Sequence, residues 1–228
     1  MKSPITAWLI LVCLSVSSLL VTAHAEEPYA GKYELLASSQ PTDNPNKVEV
    51  VEFFWYGCPH CYYLDEHVQS WLETKPDYVD FKHIPAVYSK AGRWTPGAKA
   101  YYTAEALGIL EKIHTPFFKA IHDERRSALR KNEQAIQGFF AKSGVSKAQF
   151  TNTYHSFGVD TAIGKAINMT EKYGIRGVPV IFVNGKYRLN SQIAGGYVNL
   201  IKVLDYLIEK EYKLMLAIPQ ASDVPSTP

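Results

Sequence analysis

Two cysteines separated by Pro59-His60, directly after an apolar run, constrain this chain more than any other feature. The run is Glu52-Phe53-Phe54-Trp55-Tyr56-Gly57, and Cys58-Pro59-His60-Cys61 closes it. A Cys-x-x-Cys that ends a strand and opens a helix reads first as a redox motif. Beyond it, Leu64, Val68, Trp71 and Leu72 recur near helical spacing and make an apolar stripe. The spacing predicts a helix from Cys58 to about Thr74, with Cys61 turned inward and Cys58 at the solvent-facing tip. Unpaired N–H groups and the positive end of the helix dipole favour a thiolate at that tip. Pro59 suits the first turn, where its missing N–H costs nothing. His60 can add a positive charge or a donor beside Cys58. A stable Cys58 thiolate is a good leaving group and favours the dithiol, which makes the disulfide form an oxidant.

The surroundings of that pair bear on its use. The first residues carry Lys2, an apolar stretch from Ile5 to Val21, and Ala23-His24-Ala25, the small-x-small pattern of a signal-peptidase site. Residues 1–25 are expected to be a signal peptide cleaved after Ala25; the alternative is an uncleaved anchor. Of three cysteines, Cys13 falls within this segment, leaving Cys58 and Cys61 in an exported chain. A stapled secreted domain needs more cysteines at wider spacing, so one close pair argues for catalysis. The formal charge is +2, from 24 basic and 22 acidic residues without a basic block, so nothing suggests nucleic acid.

Lys47 to Trp55 reads as a strand apolar on both faces and therefore buried, interrupted by Glu52. An ionisable group there is costly unless paired or neutral. Glu52 is either a satisfied core carboxylate or a proton relay to Cys61. Val79 to Pro85 is the next strand, which implies a parallel pair with a right-handed crossover. Lys82 can then pair with Glu52, or be an ordinary exposed strand lysine. Helical patterns follow over 97–107, 116–129 (opened by Thr115 and Pro116), 133–142, 146–157 and 159–173. Five helical segments inside a strand-helix-strand frame indicate an inserted helical subdomain. Val178 to Val183 returns to strand, Asn184-Gly185 is a hairpin turn, and Lys186 to Asn190 runs back. Gly31 to Leu36 is a possible edge strand, Tyr197 to about Leu214 a last amphipathic helix, and the end of the chain, from about 217 to 228, a flexible tail. Pro179, early in a strand, marks an edge, a bulge or a cis bond. If cis and close to Cys58, it leaves the Val178 backbone free for an extended substrate segment.

The combination of a signal peptide, Glu52-Phe53-Phe54 before Cys58-Pro59-His60-Cys61, a helical insertion, and Arg176-Gly177-Val178-Pro179 followed by Phe182-Val183-Asn184-Gly185-Lys186-Tyr187 closely resembles the DsbA family of periplasmic thiol:disulfide oxidoreductases. The resemblance implies an α/β, thioredoxin-like fold with an inserted all-helical domain: residues 26–87 and 166–216 forming the thioredoxin part, 88–165 the insert. It implies Cys58 as nucleophile, Cys61 as its buried resolving partner, His60 as the residue tuning the pair, with Pro59 beside it in the catalytic motif, Glu52 as the buried acid with Lys82 near it, and Val178 with a cis Pro179 at the substrate site. It also implies a periplasmic, mainly monomeric protein that needs no cofactor beyond the Cys58–Cys61 disulfide, oxidises reduced exported proteins, and is restored by a DsbB-like membrane reoxidase.

Three other readings compete. A disulfide isomerase or reductase of the same fold shares the motif, but isomerases of the DsbC kind carry an N-terminal dimerisation domain, and only about 20 residues precede the fold here. A metal carrier would need four ligands; His60 cannot easily turn onto the same ion, His67 is too far along the same helix, and His83, His114, His122 and His155 show no ligand spacing, each reading as a surface or capped residue. A redox-inactive binding module is compatible with the fold, but the retained cysteine pair speaks against it.

Overall fold

A computed structural model describes residues 27–217. The expected signal peptide and its cleavage site lie outside these residues, as does the expected tail except Ala217, which is helical. By its contacts the chain divides at Ala30. Of the N-terminal unit only residues 27–30 are described, a turn in which the Ala30 N–H donates to the Glu27 carbonyl; Gly31 onward forms the second unit.

That unit is built on a five-stranded sheet of order β1-β5-β4-β2-β3: β1 Glu34–Leu35, β2 Val48–Phe54, β3 Val79–Pro85, β4 Val180–Val183 and β5 Tyr187–Leu189. β2 sits inside the sheet, parallel to β3 and antiparallel to β4, and all seven of its residues are buried. Its double-sided apolar pattern requires that position. Between β2 and β3 runs α1, Pro59–Leu72, which buries Cys61, Leu64, Asp65, Val68 and Trp71. Asn184 and Gly185 both take positive φ and join β4 to β5; a Cβ on Gly185 would strike the Gln40 carbonyl, so only glycine fits.

Between β3 and β4 lie α2 Thr95–Ala106, α3 Leu110–His122, α4 Glu133–Ala141, α5 Lys147–Tyr154 and α6 Phe157–Lys172. Asn132, Ser146 and Ser156 cap three of them, each side chain accepting from a backbone N–H three residues on. The helix expected to open at Pro116 instead starts at Leu110 and carries Pro116 inside it. Ile113, Phe117, Phe118 and Ile121 keep one face of α3 in the core, and that burial outweighs the hydrogen bond the proline removes. Leu129 falls in a separate 3-10 turn, Ser127–Arg130. A short helix not foreseen, α7 Ser191–Ala194, precedes the last, α8 Tyr197–Ala217. One apolar cluster joins Phe54, Tyr56 and Cys61 to Tyr101, Phe117, Phe118, Phe140 and Phe150, so the inserted helices roof the active-site cysteines directly.

Candidate active site

Cys58 is the N-cap of α1 and Pro59 its first residue; the Cys58 side chain makes no capping bond. Its sulfur is therefore left to the environment at the helix mouth. Gly57 permits the tight approach, because a Cβ there would collide with the Trp55 ring. Trp55 stacks on Trp94, with ring centroids 4.8 Å apart, and the Cys58 N–H donates to its carbonyl at 2.9 Å.

The two thiols, both free in this structure, sit in different surroundings. Cys61 is fully buried and Cys58 half-buried. The Cys61 thiol, hydrogen-bonding to Cys58, is the main cause that brings the Cys58 pKa down from an ordinary 9.0 to about 6. Burial opposes it, while the Cys61 and His60 backbone N–H groups and the charge of His60 add smaller help. Burial pushes the Cys61 thiol well up, and the neighbouring Cys58 and Glu52 charges push it further. The helix mouth thus holds an anion at Cys58 and a proton at Cys61. The His60 imidazole turns sideways, its Nδ1 3.1 Å from the Tyr197 hydroxyl at the start of α8.

Facing Cys58 is the loop before β4. The Val178–Pro179 bond is cis, and in its thiol form Cys58 Sγ donates to the Val178 carbonyl at 3.3 Å. Val178 and Pro179 line a cleft of about 450 Å³ together with His60, Arg188, Asn190 and Gln192. Nothing in the sequence had marked the last three; β5 and α7 bring them there.

Glu52 is 2% exposed, beneath the start of α1. Lys82 does not pair with it. The ladder sets Lys82 opposite Val51, on the face of Glu49, and its ammonium binds Glu49 at 2.6 Å and Asp43 at 2.7 Å. Opposite Glu52 stands His83, whose Nδ1 lies 3.2 Å from Glu52 Oε2 but off the line of a hydrogen bond. Nor are His83 and His114 surface residues. Their rings lie 4.6 Å apart under the active-site helix. Tyr56 OH lies 2.9 Å from His114 Nδ1, and His114 Nε2 is 3.4 Å from Asp65. Burial, helped by the neighbouring His83, drives the His114 pKa down to about 4 against the opposing hydrogen bond and charge of Asp65, so the ring is neutral. Burial raises the Asp65 carboxyl, but hydrogen bonds from His114, Thr115 and Gln69 outweigh it and hold it below the ordinary range. Among the described residues, no group of three or more His, Cys, Asp or Glu side chains is placed to hold a metal ion.

A dithiol with one acidic and one protonated sulfur, facing a cleft through a cis-proline loop, fits thiol–disulfide exchange. The family model for the DSBA-like thioredoxin domain matches residues 49–201. The chain belongs to the DsbA family. The thiol:disulfide interchange protein DsbA of Pseudomonas aeruginosa is 40% identical over 200 residues, covering 87% of this chain and 93% of that protein. The Azotobacter vinelandii DsbA is 41% identical over 180 residues, 79% of this chain and 82% of its own. The crystal structure of the Pseudomonas aeruginosa DsbA superposes with a TM-score of 0.74 at 39% identity, over 81% of this chain and 94% of that one. The Xylella fastidiosa DsbA structure gives 0.72 at 32%, over 80% and 96%. The chain accordingly has the thioredoxin-like α/β fold with a helical insert, and is a protein thiol:disulfide oxidoreductase.

Proposed function

We propose that this DsbA-family enzyme works as a dithiol oxidase, donating the Cys58–Cys61 disulfide to reduced exported proteins in the periplasm. The observation that carries this reading is the split between the sulfurs: an anion favoured at Cys58 makes the dithiol the comfortable state and the disulfide the donor. A substrate thiolate attacks Cys58 Sγ, the Cys58–Cys61 bond breaks, and Cys61 leaves with the electron pair. Glu52 supplies the proton that Cys61 needs. The substrate's second thiolate then attacks its own sulfur in the mixed disulfide and expels Cys58 as a stable thiolate. Pro59 lets the helix open at the sulfur, His60 adds charge beside it, and the Val178 carbonyl, with Pro179 behind it, aligns an extended substrate strand in the cleft. Lys82 fixes the Asp43 loop to the sheet through Glu49 rather than serving Glu52.

In this reading residues 1–25 are a signal peptide cleaved after Ala25, residues 26–87 and 166–216 form the thioredoxin-like part and 88–165 the insert. The protein acts as a monomer, requires no cofactor beyond its disulfide, and is reoxidised by a DsbB-like membrane partner. The test is Cys61→Ala in the exporting cell. The Cys58 thiolate of this variant attacks disulfides of exported proteins, and with no Cys61 to release them the mixed disulfides should accumulate at Cys58; a variant that captures none of them refutes the reading.

A further inference from the structure

The His60 side chain stands between the two cysteines in sequence and hydrogen-bonds to neither sulfur. Its Nδ1 lies 3.1 Å from the Tyr197 hydroxyl, the one hydrogen bond of the ring among the described residues. Cys58 Sγ has its own partners, the Cys61 thiol and the Val178 carbonyl, and the charge of His60 acts on it less than the Cys61 thiol and the backbone N–H groups do. That separation needs a cause. A thiolate attracts an imidazole N–H, and the torsions of an exposed histidine turn freely among their staggered wells. Tyr197 supplies the cause. It opens α8, is half-buried, and stacks its ring on His67, with centroids 5.7 Å apart and planes 19° apart. His67 stands on α1, about two turns beyond His60. The hydroxyl is thus carried by one helix and braced by another, and it can donate to Nδ1 or accept from it as the ring requires.

We propose that Tyr197 is a positioning residue that restrains the His60 imidazole away from the Cys58 sulfur and so limits how strongly the disulfide oxidises, a role that rests on the influence of His60 on Cys58 given above. A released ring turns an N–H toward the Cys58 thiolate and brings its charge closer. The thiolate is then more stable, the dithiol is favoured, and the disulfide becomes the stronger oxidant. Held by Tyr197, the ring instead forms part of the cleft wall with Val178 and Pro179, where a substrate segment meets it. The restraint makes and breaks no bond to sulfur; it shifts only the balance between disulfide and dithiol. The titratable groups around the Tyr197 hydroxyl are His60, His67 and Tyr63, with Cys58 and Cys61 close enough for their charge to act on it.

The test uses the full-length protein carrying Tyr197→Phe, His60→Ala or both. Tyr197→Phe removes the hydroxyl and keeps a ring on His67. Two properties are followed that packing alone does not set: the ultraviolet absorbance of the Cys58 thiolate against pH in the reduced protein, and the equilibrium of the Cys58–Cys61 pair with glutathione at neutral pH. Tyr197→Phe should move that equilibrium toward the dithiol by roughly 3–10-fold, less than a buried charge-assisted hydrogen bond gives because the site is exposed. The thiolate titration should move to lower pH by the logarithm of that factor, about 0.5–1. Combined with His60→Ala, the same substitution should change neither property. A lowered titration in Tyr197→Phe that His60→Ala cancels supports the restraint. A shift that persists without His60, or one toward higher pH, overturns it. His60→Ala alone separates the two ideas. If it raises the titration while Tyr197→Phe leaves it in place, only the restraint is refuted; if neither moves it, the influence of His60 on Cys58 is refuted as well.

Discussion

The acidity of Cys58 should be visible as a pH-dependent stability of the dithiol form. Its pKa is held at about 6 when folded against an ordinary 9.0. A depressed acid stabilises the fold above its unfolded value, and the contribution is lost as pH falls through the folded one; here the window runs from 9 down to about 6. Three pKa units correspond to a ceiling of ~4 kcal/mol, of which ~2.6 kcal/mol develops between about pH 5 and about pH 8. Cys58 is only half-buried, and solvent screening cuts that to roughly 1.3 kcal/mol. For a chain of this size the shift in Tm is about 3–5 °C. The disulfide form has no thiol to titrate and serves as the reference. Thermal unfolding of both forms, followed by circular dichroism, should show the reduced-minus-oxidised Tm rising by that amount from about pH 5 to about pH 8. A difference that stays flat refutes the assignment of the acidic thiol to Cys58.

Cys61→Ala removes the donor that acts most on Cys58, so the midpoint of Cys58 alkylation with iodoacetamide should move to higher pH than in the parent. Gly57→Ala drives a methyl group into the Trp55 ring and should destabilise the fold by about 1–3 kcal/mol in denaturant unfolding; an unchanged midpoint would mean that Trp55 relocates freely. Glu211, 1% exposed on α8, accepts from Asn184, Lys186 and Tyr187 around the β4–β5 hairpin. Glu211→Ala should cost about 2–3 kcal/mol, below the value for a fully buried pair because Lys186 is partly exposed.

What could be read from the sequence is what single-chain patterns encode. β2 has apolar residues on both faces, α1 follows it with an inward stripe beginning at Cys61, and Asn184-Gly185 marks a hairpin; the structure has all three. The Lys82 expectation failed for want of the register between β2 and β3. Neighbouring strands were foreseen, but which face Lys82 takes depends on Val51 standing opposite it, and a slip of one residue reverses that. Asp65, His83 and His114 were missed for a related reason. Each is a lone polar residue whose burial is decided by helices folding over it from distant sequence, and an isolated histidine carries no spacing signal. Pro116 misled because local breaker chemistry was given more weight than the apolar face of Ile113, Phe117 and Ile121, which tertiary packing rewards.

Equilibrating the Cys58–Cys61 pair with glutathione redox buffers and reading off its reduction potential tests most directly whether the helix mouth makes this disulfide a donor. The stabilised Cys58 thiolate predicts a potential clearly less negative than the roughly −270 mV of thioredoxin, and a value at or below that figure would contradict it.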